Sequence, residues 1–364
     1  MSFLKKIFGT EPKKIESNAD FWSWFNTMSD KFLIAVKNRD NIEENFFNML
    51  SQKLNELKPG YFYLTGMLSD HTAELVITAD GDLNNIAFVE ELVAAAPSIQ
   101  GWKFTANKQP LSTEGLVIKM GAYEYKSGNM YFYAQESADY PDEINITVVH
   151  DDINDENSRD VIPGVFIFLE HNLGELNAMT IIDNLKIIGH GSLAAEKELI
   201  PIDKLQSFLQ WRQKEFVERY DGTLYRTDNG GYAMMEGNLE DGSPLFAIVN
   251  TTLLEWDGKA SHPWMFIVKI KYHAMNSSGM PDQDTVALLD QLEDELLADL
   301  KDYEGYLNIG RETVKGRREI YFACKDFRKP SIAGYRIQQK YGSEVGVSYN
   351  IFKDKYWSTL DRFK

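Results

Sequence analysis

Hydrophobic side chains recur at helical spacing in two segments near the start of the chain. The first segment has its apolar residues at Phe21, Phe25, Met28 and Phe32. The second begins near Ile42 and stops at the pair Pro59 and Gly60. Because residues three and four positions apart share one face of a helix, and a Pro-Gly pair ends it, the pattern predicts two amphipathic helices.

From Tyr61 the period changes to two residues, which is typical of strands. The segments "YFYLTGML" and "AELVITAD" predict a hairpin, "LNNIAFVEELVAAAP" predicts a helix that Pro97 ends, and "GWKFTA" predicts a strand. Further along, "NMYFYAQ", "EINITVVH" and "AMTIIDNLKII" predict strands, and "DVIPGVFIFLEHNLGE" predicts a short helix. Strands and helices alternate without the glycine-rich turns of a nucleotide-binding parallel sheet, so we predict a mixed α+β fold.

The C-terminal part has the most regular pattern. The strands "YAMMEGN" and "PLFAIVN" flank an Asp-Gly turn, which favours a hairpin. A strand, a long acidic helix, a hairpin around Lys315 and Gly316, a second helix and a last strand follow. This β-α-β-β-α-β order predicts a ferredoxin-like domain preceded by an extra hairpin. The N-terminal part is a candidate for a diverged version of the same plan, although it shows no repeat of residues.

Length and local composition predict two domains. A chain of 364 residues is longer than one core usually supports. Gly, Asp and Asn cluster in "DGTLYRTDNGG", residues 221–231, which favours a boundary there. We expect an N-terminal tail over 1–17, an acidic α+β domain over 18–200, a connecting helix over 201–222 and the ferredoxin-like domain over 223–364.

The charge and the cysteine content limit the classes of partner and the cellular compartment that we expect. The formal net charge is -17, and residues 1–200 hold 16 Lys and Arg against 30 Asp and Glu. Such acidity repels phosphate backbones and attracts basic partners, so we expect a basic protein partner rather than nucleic acid. The single cysteine suits a reducing compartment. No apolar run reaches the roughly 18 to 20 residues of a membrane span, and no signal peptide is evident, so we expect a cytoplasmic protein without a transmembrane segment.

The predicted hairpin of the C-terminal domain carries the main candidate site. Its sequence, "IGRETVKGRREIYF", contains four basic residues: Arg311, Lys315, Arg317 and Arg318. One interpretation pairs them with carboxylates of their own domain, with Asp282 and Asp284 nearest by topology. A second is a site for an anion or a carboxylate-bearing peptide, because arginine pairs bind such groups bidentately. A third is nucleic acid, which the lack of an aromatic-rich RNA-binding signature disfavours.

Alternation along the hairpin strands sorts the remaining side chains. It predicts that Leu307 and Ile309 share a core face with Ile320, Phe322 and Cys324. Cys324 is then a buried, inert thiol. Tyr306 and Tyr321 fall on the opposite face, which we expect to be available to a partner.

The other residues that could form a metal site or a catalytic site lack the spacing that such a site requires. The acidic segment "HDDINDENSRD" has neither the central glycine nor the final glutamate of a calcium loop. His171 and Glu175 are four residues apart but have no third ligand at motif spacing. We find no nucleophile elbow, phosphate-binding loop or zinc-protease motif, and we predict no cofactor and no metal.

Three separated motifs carry a resemblance to a known family. "LEDGSP", the acidic helix ending in "LEDELLADL", and "GRETVKGRREIYF" resemble, in order and spacing, the family called domain of unknown function 695, over roughly Trp211 to Lys364. N-terminal segments such as "ITADGD" and "LVAAAP" look like segments of bacterial proteins of this type. The resemblance implies a fold boundary and no catalytic residue, and its members look like relatives of small acidic ferredoxin-like regulators such as inhibitors of ribonuclease E.

These observations favour a non-catalytic binding or regulatory protein that engages another protein through an acidic surface or an exposed sheet face. The alternative is an enzyme whose site lies in the cleft between the predicted domains.

Overall fold

The computed structural model of the protein describes residues 14–193, 197–227, 230–276 and 278–364. They divide into two compact units, one within Met1–Gln109 and one within Pro110–Lys364. The predicted α+β class is confirmed, because helices alternate with strands in mixed and antiparallel sheets. The predicted N-terminal tail, residues 1–17, lies outside the described residues except for its last four.

The first unit packs helices against one face of a three-stranded sheet. Its elements are α1 (Asn18–Asn38), a π-helical turn (Glu43–Phe47), α2 (Asn48–Leu57), β1 (Phe62–Ser69), β2 (Thr72–Thr78), α3 (Leu83–Ala94) and β3 (Trp102–Ala106). β1 pairs antiparallel with β2, and β2 pairs parallel with β3. The ring of Phe25 on α1 lies 5.1 Å from that of Trp102 and 5.4 Å from that of Phe104 on β3. The core of this unit is therefore an aromatic layer between helices and sheet.

The second unit begins with a mixed four-stranded sheet. Its elements are β4 (Ile118–Met120), β5 (Tyr123–Tyr125), β6 (Met130–Gln135), β7 (Asn145–His150), α4 (Ser158–Leu173), α5 (Glu175–Thr180), β8 (Asn184–Ile188), β9 (Ile200–Pro201) and α6 (Leu205–Arg219). The strand order is β8-β7-β6-β9, with β4 and β5 as a separate hairpin. Val165 and Phe168 of α4 and Leu205 of α6 are fully buried in its core.

The strand predicted over "AMTIIDNLKII" is wrong in its first part. Residues up to Thr180 belong to α5, and the strand begins only at Asn184. The Thr180 hydroxyl donates to the carbonyl oxygen of Leu176 at 2.6 Å, four residues earlier. A short apolar run is compatible with either a helix or a strand, so periodicity alone does not decide between them. Here the residues up to Thr180 form helical hydrogen bonds.

The rest of the second unit is a six-stranded antiparallel sheet with two long helices. Its elements are β10 (Tyr232–Asn238), β11 (Pro244–Asn250), α7 (Thr251–Leu254), β12 (Trp264–Lys271), α8 (Gln283–Asp299), β13 (Tyr306–Val314), β14 (Arg317–Cys324), α9 (Arg328–Tyr341) and β15 (Gly346–Lys353). The strand order is β10-β11-β13-β14-β12-β15. The four strands from β12 to β15 have the ferredoxin-like order, and the predicted extra hairpin extends the sheet through β11.

Both faces of this sheet are covered. Leu289, Leu292 and Leu296 of α8 are buried on the helix side. On the other side, Trp357 and the C-terminal 3₁₀ turn Ser358–Phe363 pack on side chains of β12, β13 and β14. The sheet is thus the middle of three layers.

The predicted boundary at residues 221–231 lies inside the second compact unit, and it stays a prediction. The ferredoxin-like plan does not recur in the described N-terminal half, because its strands belong to separate sheets. None of the helices formed by the described residues is long and apolar enough to cross a membrane.

Candidate partner-binding surface

The four predicted basic side chains lie around the β13–β14 hairpin, and each meets a carboxylate of its own domain. Lys315 and Gly316 form the turn with positive φ angles, as the sequence predicts. Lys315 pairs with Asp241, which lies in the turn between β10 and β11. The hairpin tip is therefore an exposed ion pair that joins two turns.

Arg311 and Arg318 lie on the helix side of the sheet. Arg311 Nη1 lies 2.6 Å from Glu293 Oε2, and Arg318 Nη1 lies 2.8 Å from Asp290 Oδ1. The predicted partners were wrong, because both arginines face the middle of α8 rather than its first turn. Asp282 instead caps α8, where its Oδ1 accepts a hydrogen bond from the backbone N–H of Thr285 at 2.9 Å.

Arg317 lies on the opposite side of the sheet, beside two buried glutamates. Glu312 and Glu319 are directly opposite each other in the β13–β14 register, and each is only about one-twentieth exposed. Arg317 lies 3.5 Å from Glu319 and 3.8 Å from Glu312, and Arg362 lies 3.3 Å from Glu312. Directly opposed like charges destabilise a sheet, so these cations offset the repulsion. The structure does not bring the four basic side chains together on one surface.

The predicted exposure of Tyr306 and Tyr321 is wrong. They are 9% and 1% exposed, and the C-terminal turn covers the face on which Tyr321 lies. The Tyr321 hydroxyl donates to Glu319 at 2.8 Å and accepts from Arg362 at 2.6 Å. Burial and the adjacent carboxylates raise the pKa of the Tyr321 phenol well above its ordinary value. This tyrosine is part of an internal network and offers no partner surface in the folded chain.

A bulge explains why alternation failed in this hairpin. The register shifts between Asn308 and Gly310, which moves Leu307 and Ile309 to the face of Tyr321. Gly310 has a φ angle of 145°, and a Cβ there would lie 2.1 Å from the carbonyl oxygen of Ile248 on β11. Only glycine permits this close approach, so the bulge is built into the sequence.

The predicted burial of Cys324 is confirmed. Its side chain is fully buried, and burial raises the pKa of the thiol well above its ordinary value. A thiol in such surroundings is a weak nucleophile. Among the residues that the structure describes, no three His, Cys, Asp or Glu side chains group as a metal ion requires.

The sequence did not reveal the most open apolar surface of the first unit. Tyr63, Thr65 and Met67 of β1 lie on the helix side, opposite buried residues of β2. Their neighbours face away from the helices, where Phe62 and Leu64 are each 50% exposed and Leu68 is 53% exposed. We call the surface formed by Phe62, Leu64, Leu68 and Val76 the open face. The signal was present in "YFYLTGML", whose apolar residues occupy both faces of one strand.

A polar group lies within the open face, between Leu64 and Leu68. Glu74 on β2 lies opposite Gly66 and pairs with Lys103 of β3 at 2.8 Å. Burial raises the pKa of Glu74, but hydrogen bonds from Lys103 and Thr105 outweigh it and leave that pKa below its ordinary value. The carboxylate therefore stays charged at neutral pH. Among the described strands β1 pairs only with β2, so β1 is an edge of its sheet.

Comparison with known proteins gives one match. Residues 234–363 match the model of the family of unknown function DUF695, which is little more than a third of the chain. This confirms the resemblance over the C-terminal region, and the matched segment contains the whole ferredoxin-like order from β12 to β15. No curated protein and no solved structure matches the chain.

Proposed function

We propose that the protein is a non-catalytic binding protein whose first unit captures an extended segment of a basic protein. The open face carries this proposal, because three large apolar side chains of one strand are each about half exposed there. Phe62, Leu64 and Val76 are neighbours on this face, and Gly66 with Glu74 separates them from Leu68. Scattered exposed apolar residues are ordinary on protein surfaces, whereas neighbouring ones beside polar groups are typical of an interaction site.

The edge position of β1 suggests how a partner binds. An added strand completes the hydrogen bonding of an edge, and its alternate side chains lie beside the apolar side chains of β1 on the same face. The bulge between Met67 and Ser69 limits this edge to the first part of β1. The partner segment is therefore short, with apolar side chains on the face that it shares with Phe62 and Leu64.

The charge of the protein favours a basic partner. The formal net charge of the whole chain is -17, of which residues 1–109 contribute -3, with 11 Lys and Arg against 14 Asp and Glu. Complementary charge accelerates encounter and makes binding sensitive to salt. The single cysteine favours a cytoplasmic setting, and the N-terminal motifs favour a bacterial one, so we place the interaction there.

The test compares two variants of equal chemistry in the same unit. Leu64→Glu places a charge in the open face, and Ile34→Glu places it on α1, where Ile34 is 61% exposed. We expect tagged wild type and Ile34→Glu to recover the same basic protein from a lysate of the native cells, and Leu64→Glu to lose it. Recovery should fall between roughly 50 and 300 mM salt.

The purified partner then provides a direct readout. Hydrogen exchange of the Phe62–Ser69 backbone should slow when the partner is added, because an added strand occupies the free edge. Equal recovery by both variants, or unchanged exchange in β1, would contradict the proposed function.

A further inference from the structure

A separate cleft of about 360 Å³ lies within the second unit. Helix α6 forms one wall, and the ends of β14 and β15 with the start of β12 form the other. Its volume falls in the range typical of small-molecule sites. It also adjoins the predicted domain boundary, where the sequence suggested a cleft.

Two buried lysines share a single carboxylate at the base of this cleft. Lys353 Nζ lies 2.8 Å from Asp183 Oδ1, and Lys355 Nζ lies 2.7 Å from Asp183 Oδ2. The two lysine side chains are 13% and 1% exposed. Lys353 donates also to the carbonyl oxygen of Ile181 at 2.9 Å. Within the part of the chain that the structure describes, this leaves one of its three N–H groups for another acceptor.

The neighbouring carboxylates form their hydrogen bonds with other groups, although the charge of Glu143 also acts on Lys353 and Lys355. Asp142 accepts from Arg219 at 2.5 Å and from the Tyr220 hydroxyl at 2.6 Å. Its only described contact with Lys355 is through the backbone carbonyl, at 2.6 Å. Glu143 accepts from the amide of Asn184 at 3.2 Å. The hydrogen-bonded group of Lys353, Lys355 and Asp183 therefore carries a net positive charge inside an acidic protein.

Two further features of the lining determine which ligand would fit the cleft. Lys325 adds a third ammonium group to the lining, and its neighbour Asp326 pairs with Arg328 at 2.7 Å. The remaining lining combines apolar and aromatic side chains with polar ones. The apolar and aromatic ones include Phe216, Val217, Pro263, Trp264 and Phe327, and the polar ones include Thr180, Gln213, Asp221 and Ser261. Burial lowers the pKa of Lys353 to about 8, and the charge of Lys355 contributes although Asp183 opposes it. A buried ammonium whose desolvation is only partly offset by its neighbours gains from an anionic ligand.

We propose that this cleft, which we call the lysine cleft, binds a small carboxylate that carries an apolar group. The carboxylate accepts the free N–H of Lys353 and faces Lys325, and the apolar group packs between α6 and Trp264. One negative charge matches the single excess charge of the lysine group, whereas a phosphate dianion would exceed it. This inference is independent of the open face, which lies in the other unit.

The test uses benzoate as the probe, with benzyl alcohol and inorganic phosphate as comparisons, in titration calorimetry on the full chain. Wild type should bind benzoate saturably and at least tenfold more tightly than either comparison. Lys353→Met should weaken benzoate binding at least tenfold, while Lys355 keeps Asp183 paired. Lys329→Met is the matched control, because Lys329 pairs with Glu304 outside the cleft, and it should bind benzoate like wild type.

A measurement on wild type covers the case in which Lys353→Met does not fold. Limited acetylation with acetic anhydride, read by mass spectrometry, should be slower at Lys353 when benzoate is present and unchanged at Lys329. Absence of saturable benzoate binding, phosphate binding as tight as benzoate, or equal acetylation of Lys353 with and without benzoate would each overturn the proposal. Leu64→Glu should keep benzoate binding, which separates this test from that of the open face.

Discussion

Replacing Arg318 with glutamine tests whether the basic hairpin is structural. The Arg318 side chain is 6% exposed, and the variant loses its ion pair with Asp290 and its hydrogen bond to Thr313 Oγ1 at 3.2 Å. Hydrogen bonds of buried charged groups contribute about 1.5 to 3 kcal/mol. Glu293 keeps Arg311, so no buried charge is left alone, which keeps the cost below the roughly 3 to 5 kcal/mol of a broken buried pair. We expect a loss of about 2 kcal/mol.

The assay uses the one thiol of the chain. Cys324 lies on the same strand as Arg318 and is fully buried, so a water-soluble disulfide reagent reaches it only when the sheet opens. In native buffer Arg318→Gln should react roughly 30-fold faster than wild type, since 1.36 kcal/mol corresponds to a factor of ten. All variants should react rapidly and equally in denaturant.

Lys315→Gln is the matched control, because the Lys315–Asp241 pair is about half exposed on both sides. Exposed pairs contribute about 0 to 1 kcal/mol, so this variant should react at most about fivefold faster than wild type. Added salt should reduce that small difference and leave the effect of Arg318→Gln in place. Labelling of Arg318→Gln at the rate of Lys315→Gln would refute the structural role of Arg318.

Two further predictions concern the α8–α9 contact and the division of the chain. A hydrogen bond from Lys340 lowers the pKa of Glu295 to about 2. Because the folded pKa lies below the unfolded one, the stabilisation is present above about pH 4.5 and is lost as pH falls toward 2. Glu295→Gln should therefore lower unfolding free energy by roughly 1 kcal/mol at pH 7 and by progressively less below pH 4.5, measured by urea unfolding; an equal loss at every pH would contradict this. Limited proteolysis should first cut near Gln109, where the two compact units meet in sequence, and early cleavage confined to residues 221–231 would instead favour the boundary predicted from sequence.

Local patterns predicted most of the C-terminal sheet. The turn at Lys315 and Gly316 and the long acidic helix are signals carried by neighbouring residues, and both are found where expected. The burial of Tyr321 depends instead on the last residues of the chain, which cover the face of the sheet on which it lies. The bulge at Gly310 depended on the backbone of β11, which lies about sixty residues earlier in the chain. Neither the covering of Tyr321 nor the bulge at Gly310 can be predicted from alternation along one strand.

The two candidate sites were missed for different reasons. The open face was visible as apolar residues on both sides of β1, but only the packing of the helices shows which side stays open. The lysine cleft joins Asp183 to Lys353 and Lys355 across some 170 residues. Such a contact cannot be recognised from the spacing of a motif. It arises because the segments around β8 and α6 pack against the end of the last strand.

The open face is the central claim, and site-specific crosslinking in the native cells tests it most directly. A photoreactive phenylalanine analogue replaces Leu64 in one variant and the somewhat more exposed Ile34 in another. We predict that the Leu64 position crosslinks to one basic protein through a short extended segment, and that the Ile34 position does not. Crosslinking of the same proteins from both positions, or none from Leu64, would contradict the proposed function.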